Sequence, residues 1–296
     1  MSNPPLQAKY HRLLQFLPGR RAIITGAASG LGRAMALKLA ADGWILCLID
    51  RDADGLAALG KERPMIGASL KTYAVDVTQQ RELEAAINAF CKAYGGVDLL
   101  VNSAGIGLAG QADQVSTGDW RLLFDVNVVA VGSATAAVLP HMRAANSGYI
   151  VNIASAAAYH CLPGIGAYSA SKAAVVALTE NLVAELAGTS IKASVMISAF
   201  FKSSMPKHTL GGRPASERTA GLMALSAMTS EEAAEQTLRG MEERRTYILV
   251  GNQARVIYWL KRLAPNLWLR LAPRVARKAF AKANAITASG GTHKNG

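Results

Sequence analysis

Residues 21–50 read RAIITGAASGLGRAMALKLAADGWILCLID, and this stretch decides the fold. A short apolar run, RAIIT (21–25), ends in a glycine-rich turn. A helical pattern follows, with Leu31, Met35 and Leu39 recurring at helical spacing among alanines. The next run, WILCLID (44–50), is rich in strand formers and stops on a carboxylate, Asp50. Strand, glycine turn, helix and strand in that order form the βαβ unit of a nucleotide-binding sheet.

The turn carries Gly26, Gly30 and Gly32 in GxxxGxG spacing, with Ser29 and Leu31 between them. Glycine lets the backbone turn tightly and approach a pyrophosphate, which then sits at the positive end of the following helix. Any tight strand-to-helix turn could use these glycines. The flanking strand and helix, with Asp50 beyond, favour nucleotide binding. Asp50 ends the second strand, where it suits hydrogen bonds from ribose hydroxyls and repels the extra phosphate of NADP. Arg51 would do the reverse by pairing with that phosphate, but is expected on the other face. NAD is therefore the expected cofactor and NADP the alternative.

Outward from this unit the alternation continues. LKTYAVDV (70–77) reads as a strand, 79–93 as a helix and VDLLVN (97–102) as a buried strand. A long helix covers 117–143, GYIVNIAS (148–155) is a strand, 167–186 a helix and IKASVMIS (191–198) a strand. Residues 199–229, with Pro206, Gly211, Gly212 and Pro214, read as irregular; a helix at 230–243 and the strand TYILV (246–250) close the series. The expectation is an α/β domain over 20–250, a doubly wound, Rossmann-type sheet of seven parallel strands with helices on both faces. An N-terminal extension (1–19) precedes it and a basic extension (251–296) follows.

Within NIASAAAYHCLPGIGAYSASK (152–172), Tyr168 and Lys172 are one helical turn apart and share a face. An ammonium beside a phenol favours phenolate, which suits proton exchange with an alcohol or carbonyl. Ser155, at a strand end, could hold the substrate oxygen against that phenol. YxxxK alone is a common coincidence, and its context has to decide.

Composition narrows the classes. The 296 residues carry a net charge of +12, but residues 244–296 hold eleven Lys or Arg and no Asp or Glu, leaving a nearly neutral body. A nucleic-acid-binding domain is not expected. Cys47, Cys91 and Cys161 show no metal or disulfide spacing, and no metal site is expected. The N-terminus lacks the pattern of a signal peptide and no spanning helix is expected, so a cytoplasmic protein is anticipated.

Over residues 20–250 the chain resembles the short-chain dehydrogenase/reductase family. The residues that carry the likeness are TGAASGLG (25–32), Asp50, Asp76-Val77, NSAG (102–105), Asn127, Ser155 and YSASK (168–172). The resemblance implies that Asp76 and Val77 contact the adenine end and that Asn102, Ala104 and Gly105 border the cofactor. It implies that Ser155 orients the substrate oxygen, Tyr168 exchanges its proton, and Lys172 binds the nicotinamide ribose and lowers the tyrosine pKa. Asn127 would hold a water linking Lys172 to solvent, and Ser203 would meet the carboxamide. The chain departs from the family at Ser103, at Ser198-Ala199 in place of a Pro-Gly step, and at Ser203 in place of threonine. Asn127 as an ordinary helix asparagine and Asp76 as a helix cap remain open.

The expected function is NAD(H)-dependent interconversion of a secondary alcohol and a ketone. The loops 106–111, 156–166 and 199–228 contribute Phe200, Phe201, Met205, Leu210 and Met223, which suits a bulky hydrophobic substrate. Cys161 is expected as pocket wall and His160 as a polar loop residue. A non-catalytic cofactor-binding protein is the alternative, and a homodimer or homotetramer is implied by resemblance. RVIYWLKRLAPNLWLRLAPRVARKAF (255–280) interleaves apolar and basic residues, with Pro265 and Pro273 expected to divide it into short helices. Peripheral contact with an anionic membrane, a lid over the active site and a subunit contact are all open. Residues 288–296 read as a flexible tail.

Overall fold

All seven predicted strands form. The computed structural model describes residues 9–290, and among these the strands are β1 (Arg21–Thr25), β2 (Ile45–Asp50), β3 (Leu70–Ala74), β4 (Leu99–Asn102), β5 (Gly107–Leu108), β6 (Gly148–Ile153), β7 (Ile191–Ser198), β8 (Thr209–Leu210) and β9 (Tyr247–Val250). Seven form one parallel sheet in the order β3-β2-β1-β4-β6-β7-β9, while β5 and β8 pair separately. The helices begin with α1 (His11–Phe16), α2 (Gly30–Ala41), α3 (Ala53–Gly60), α4 (Gln80–Tyr94), α5 (Thr117–Phe124) and α6 (Ala130–Ala145). They continue with α7 (Ala157–His160), α8 (Gly166–Glu185), α9 (Gly212–Ala224), α10 (Ser230–Glu242), α11 (Asn252–Leu263) and α12 (Pro265–Gly290).

The strands are apolar almost throughout because helices cover both faces, as in a parallel sheet joined by crossovers. On one face Leu31, Met35 and Leu39 of α2 meet Ala233, Leu238 and Met241 of α10, with Leu13 of α1 added. On the other, Leu83, Ile87 and Phe90 of α4 pack with Ala134 and Val138 of α6 and Leu182 of α8. The N-terminal extension is tied down: Tyr10 Oη donates to Glu235, which also pairs with Lys38. Residues 117–145 are long and apolar enough to cross a membrane, contrary to expectation, but half of their most apolar window is buried inside the fold.

Three local expectations change. Residues 199–229 are not irregular throughout, since α9 runs from Gly212 to Ala224. Gly211, Gly212 and Pro214 lie at its start, where glycine and proline are tolerated. Pro273 does not divide the C-terminal segment; α12 passes through it. The lost backbone bond is offset by burial of Trp268, Ala272 and Ala276 on one stripe. Because α12 reaches Gly290, the start of the expected tail is helical; residues 291–296 and 1–8 lie outside the described residues.

Strand order reverses between β1 and β4, and there the carboxyl ends of the strands open into a crevice, the usual ligand position in such sheets.

Candidate active site

The glycine turn leaves β1 and starts α2 at this crevice. Gly26 has φ +66°, and a Cβ there would lie 2.7 Å from the backbone of Ala104. A Cβ on Gly32 would lie 2.2 Å from the Gly26 carbonyl oxygen. Both contacts are shorter than any real Cβ tolerates, so glycine is required by close approach of backbone. Asp50 accepts from the Ala28 amide at 3.0 Å and the Asp52 amide at 3.0 Å, tying its carboxylate to the turn and leaving lone pairs toward the crevice. A bare helix N-terminus, a turn with no room for side chains and a carboxylate at the second strand end fit a dinucleotide. Gly32→Ala is expected to weaken NADH binding at least tenfold, read by nucleotide fluorescence. Unchanged affinity would remove the turn from the site.

Gly26, Ser29, Gly30, Leu31, Asp50, Asp76, Val77, Ala104 and Gly105 all line the crevice. Gly32 does not line it, and stands behind the turn it makes. Arg51 borders it together with Asp50, rather than facing away; it follows the last residue of β2, where strand alternation ends. Asp76 forms a local turn four residues ahead of α4, accepting from the Thr78 amide and hydroxyl at 2.9 and 2.8 Å. Asn102 does not border the crevice. Its amide donates to Asn152 at 2.8 Å, and Asn152 donates to Thr179 at 3.0 Å, forming a buried bridge from β4 through β6 to α8.

Tyr168 and Lys172 both project from α8 into the crevice, with the ammonium 5.9 Å from the phenol ring centroid. Lys172 Nζ donates to the Ile153 carbonyl at 2.9 Å, at the end of β6. Two residues on, Ser155 Oγ accepts from the Ala157 amide at 3.1 Å, so serine and lysine are held by the same strand end. Asn127 sits in a π-turn, Asp125–Val129, that joins α5 to α6. Its Oδ1 accepts from the Ile106 amide at 2.9 Å, and its Nδ2 donates to the Ile106 carbonyl and Ser171 Oγ at 3.0 and 3.1 Å. Both amide hydrogens are engaged, which leaves only an Oδ1 lone pair for water. Lys172 and Asn127 flank Gly105: a Cβ there would be 3.3 Å from Asn127 Oδ1 and 3.5 Å from Lys172 Nζ.

Protonation departs from expectation. Burial pushes the Tyr168 phenol up to about 12, partly opposed by a hydrogen bond with Ser155, so the net shift is upward. Burial pulls Lys172 down to about 8. Removing water disfavours each charged form, so the structure favours a neutral phenol.

The wall beyond the tyrosine is apolar. Ile106, Leu108, Leu162, Phe200, Phe201, Met205, Leu222 and Met223 line it, and Tyr168 Oη lies 3.9 Å from Met205 Sδ. Leu210, in β8, is not on this wall; it is half-buried and packs against the core. Cys161 is exposed with φ +57° and also leaves the wall, whereas His160 joins it, its imidazole pKa lowered by burial. Ser203 lines the crevice and accepts from the Met205 amide at 3.3 Å. Ser204, unforeseen, donates to Ser29 Oγ at 2.8 Å and ties the segment before α9 to the glycine turn. No local pattern marks it, since the contact spans 175 residues.

A family profile described as short chain dehydrogenase matches residues 20–211. A Mycobacterium tuberculosis protein named as an oxidoreductase, SadH, is 31% identical over 267 residues, covering 88% of this chain and 97% of its own. The structure of a short-chain dehydrogenase/reductase from Burkholderia phymatum in complex with NAD is similar, with TM-score 0.78 and 32% identity over 83% of this chain and 94% of its own. That of a short-chain dehydrogenase from Sphingobium yanoikuyae in complex with NADPH has TM-score 0.71 and 25% identity over 84% and 95%.

Proposed function

Because the chain belongs to the short-chain dehydrogenase family of oxidoreductases, we propose that it interconverts a bulky hydrophobic secondary alcohol and the matching ketone, using NAD(H). What supports this most directly is the convergence of Ser155, Tyr168 and Lys172 on one crevice with the glycine turn and Asp50. When bound, the nicotinamide nucleotide supplies or takes up the hydride. The residues do the rest. Ser155 Oγ and Tyr168 Oη hold the substrate oxygen, and Tyr168 gives or takes its proton. Lys172, anchored on Ile153, is available to a ribose hydroxyl. The wall of Phe200, Phe201, Met205, Leu222 and Met223 excludes water and accepts the apolar body of the substrate.

The preference for NAD rests on Asp50, whose fixed carboxylate repels a 2′-phosphate, whereas Arg51 on the same rim moderates that repulsion. NADH is expected to bind about tenfold more tightly than NADPH, a difference of about 1.4 kcal/mol. Arg51→Ala should weaken NADPH further and leave NADH nearly unchanged. A wild-type preference for NADPH in a fluorescence titration would reverse the assignment of Asp50. A panel of hydrophobic ketones with both nucleotides tests the reaction itself; tight nucleotide binding with no turnover of any of them would leave only a cofactor-binding protein.

A further inference from the structure

The C-terminal helices carry an apolar stripe that no other described element covers. α11 buries Ala254, Ile257 and Tyr258 against β7, β9 and α7. Its opposite side is apolar too: Val256, Trp259, Leu260 and Leu263 recur at i, i+3, i+4 and i+7 and are 38 to 76% exposed. α12 repeats the arrangement. Trp268, Ala272 and Ala276 are buried, whereas Leu267, Leu271 and Val275, also four apart, are 36 to 52% exposed. Both inner faces are anchored, for Trp268 Nε1 donates to the Tyr159 carbonyl at 2.8 Å and α12 packs along α9. The stripe is therefore held outward by the fold.

Cations accompany it. Arg255 and Arg262 flank the stripe on α11; Arg274, seven after Leu267, and Lys278, seven after Leu271, share its side of α12. Residues 244–296 contain no acidic side chain at all. An exposed row of leucines is unfavourable in water and marks an interaction site.

We propose that α11 and α12 dock this protein on the surface of an anionic phospholipid bilayer. The stripe would enter the boundary between headgroups and acyl chains while the Arg and Lys side chains meet lipid phosphates. Charge separates this partner from a second copy of the chain. A two-fold contact through the same patch sets each cation against its own kind, with no nearby carboxylate in the segment to pair it. A lipid surface supplies both the opposite charge and an apolar interior. α9, on which α12 packs, contributes Leu222 and Met223 to the apolar wall of the crevice, so the docking helices and the crevice share a support. Docking does not depend on the proposed reaction.

The test is flotation of the full-length protein with phosphatidylcholine vesicles, with and without phosphatidylglycerol. The protein is expected to float only with phosphatidylglycerol present, less so at high salt, and with a blue shift of tryptophan emission as Trp259 leaves water. Two variants at exposed positions, Leu263→Glu with Leu267→Glu and Arg274→Glu with Lys278→Glu, should each lower the floating fraction at least tenfold. Unchanged melting temperature and NADH affinity would show that both still fold. Three results would overturn the proposal: no flotation of wild type, flotation that survives both variants, or a dimer that the Leu→Glu pair dissolves without any vesicle binding.

Discussion

Tyr168→Phe is expected to lower the rate of ketone reduction by a factor of about 10²–10⁴, the usual worth of a positioned acid or base, while leaving NADH affinity within about twofold. The change removes one hydroxyl from a ring whose packing stays intact on α8, so little stability is lost. Both signs of the pH dependence follow from burial, which holds the phenol up to about 12. Reduction uses the neutral phenol as its acid, so its rate should be flat up to neutral pH and fall above about pH 8, where Lys172 loses its proton. Alcohol oxidation uses the phenolate, so its rate should climb steadily with pH over the same range. Turnover by Tyr168→Phe at near wild-type rate would sink the mechanism; oxidation insensitive to pH would sink the role of the phenolate alone.

Lys172→Met should move activity and stability in opposite directions. Activity is expected to fall at least 100-fold, because the ammonium available to the nicotinamide ribose is gone. Stability at pH 7 is expected to rise. Burial lowers the Lys172 pKa from 10.5 to about 8, so the folded state holds this proton less firmly than the unfolded chain does. Below pH 8 the folded protein carries the full penalty, about 3 kcal/mol at 1.36 kcal/mol per pKa unit. Between pH 8 and 10.5 the penalty fades as the folded lysine deprotonates first. Methionine removes it but leaves the Ile153 carbonyl without its donor, a loss of about 1–3 kcal/mol. A net gain of about 0–2 kcal/mol at pH 7 follows, up to a few degrees in melting temperature for a chain of this size. The gain should shrink toward pH 10. A variant that melts below wild type at pH 7 contradicts it.

These two residues also mark how far the sequence could be followed. That Tyr168 and Lys172 share a face is set by 3.6-residue periodicity, a local property, and α8 places them so. That the phenol is shifted up rather than down is set by dehydration of the crevice, to which residues from β6, α8, the segment after β7 and α9 all contribute. Asn102 is a similar case. In VDLLVN every position is buried, so alternation carries no signal of which face each side chain takes. Only pairing of β4 with β6 turns Asn102 toward Asn152 and away from the crevice. Arg51 lies just past β2, where alternation no longer applies. Asn127 stands in a continuous helical pattern, and only packing against Ile106 and Ser171 accompanies the π-turn that holds it.

The alternation of seven strands with helices, the glycine turn, the carboxylate of Asp50 at the second strand end, the pairing of Tyr168 with Lys172 and the one-signed charge of residues 244–296 are all legible in the residues alone. Each is a matter of spacing over a few residues or of composition, and backbone geometry converts such spacing directly into shared faces and turns. Tertiary structure alone decided that α9 forms and α12 passes through Pro273. It also decided that Ser204 reaches Ser29 and that two apolar stripes on α11 and α12 divide between core and solvent. Those outcomes depend on which surfaces meet between elements distant in the chain, by 175 residues for Ser204 with Ser29 and 109 for Trp268 with Tyr159, because burial, not propensity, sets the energy of each.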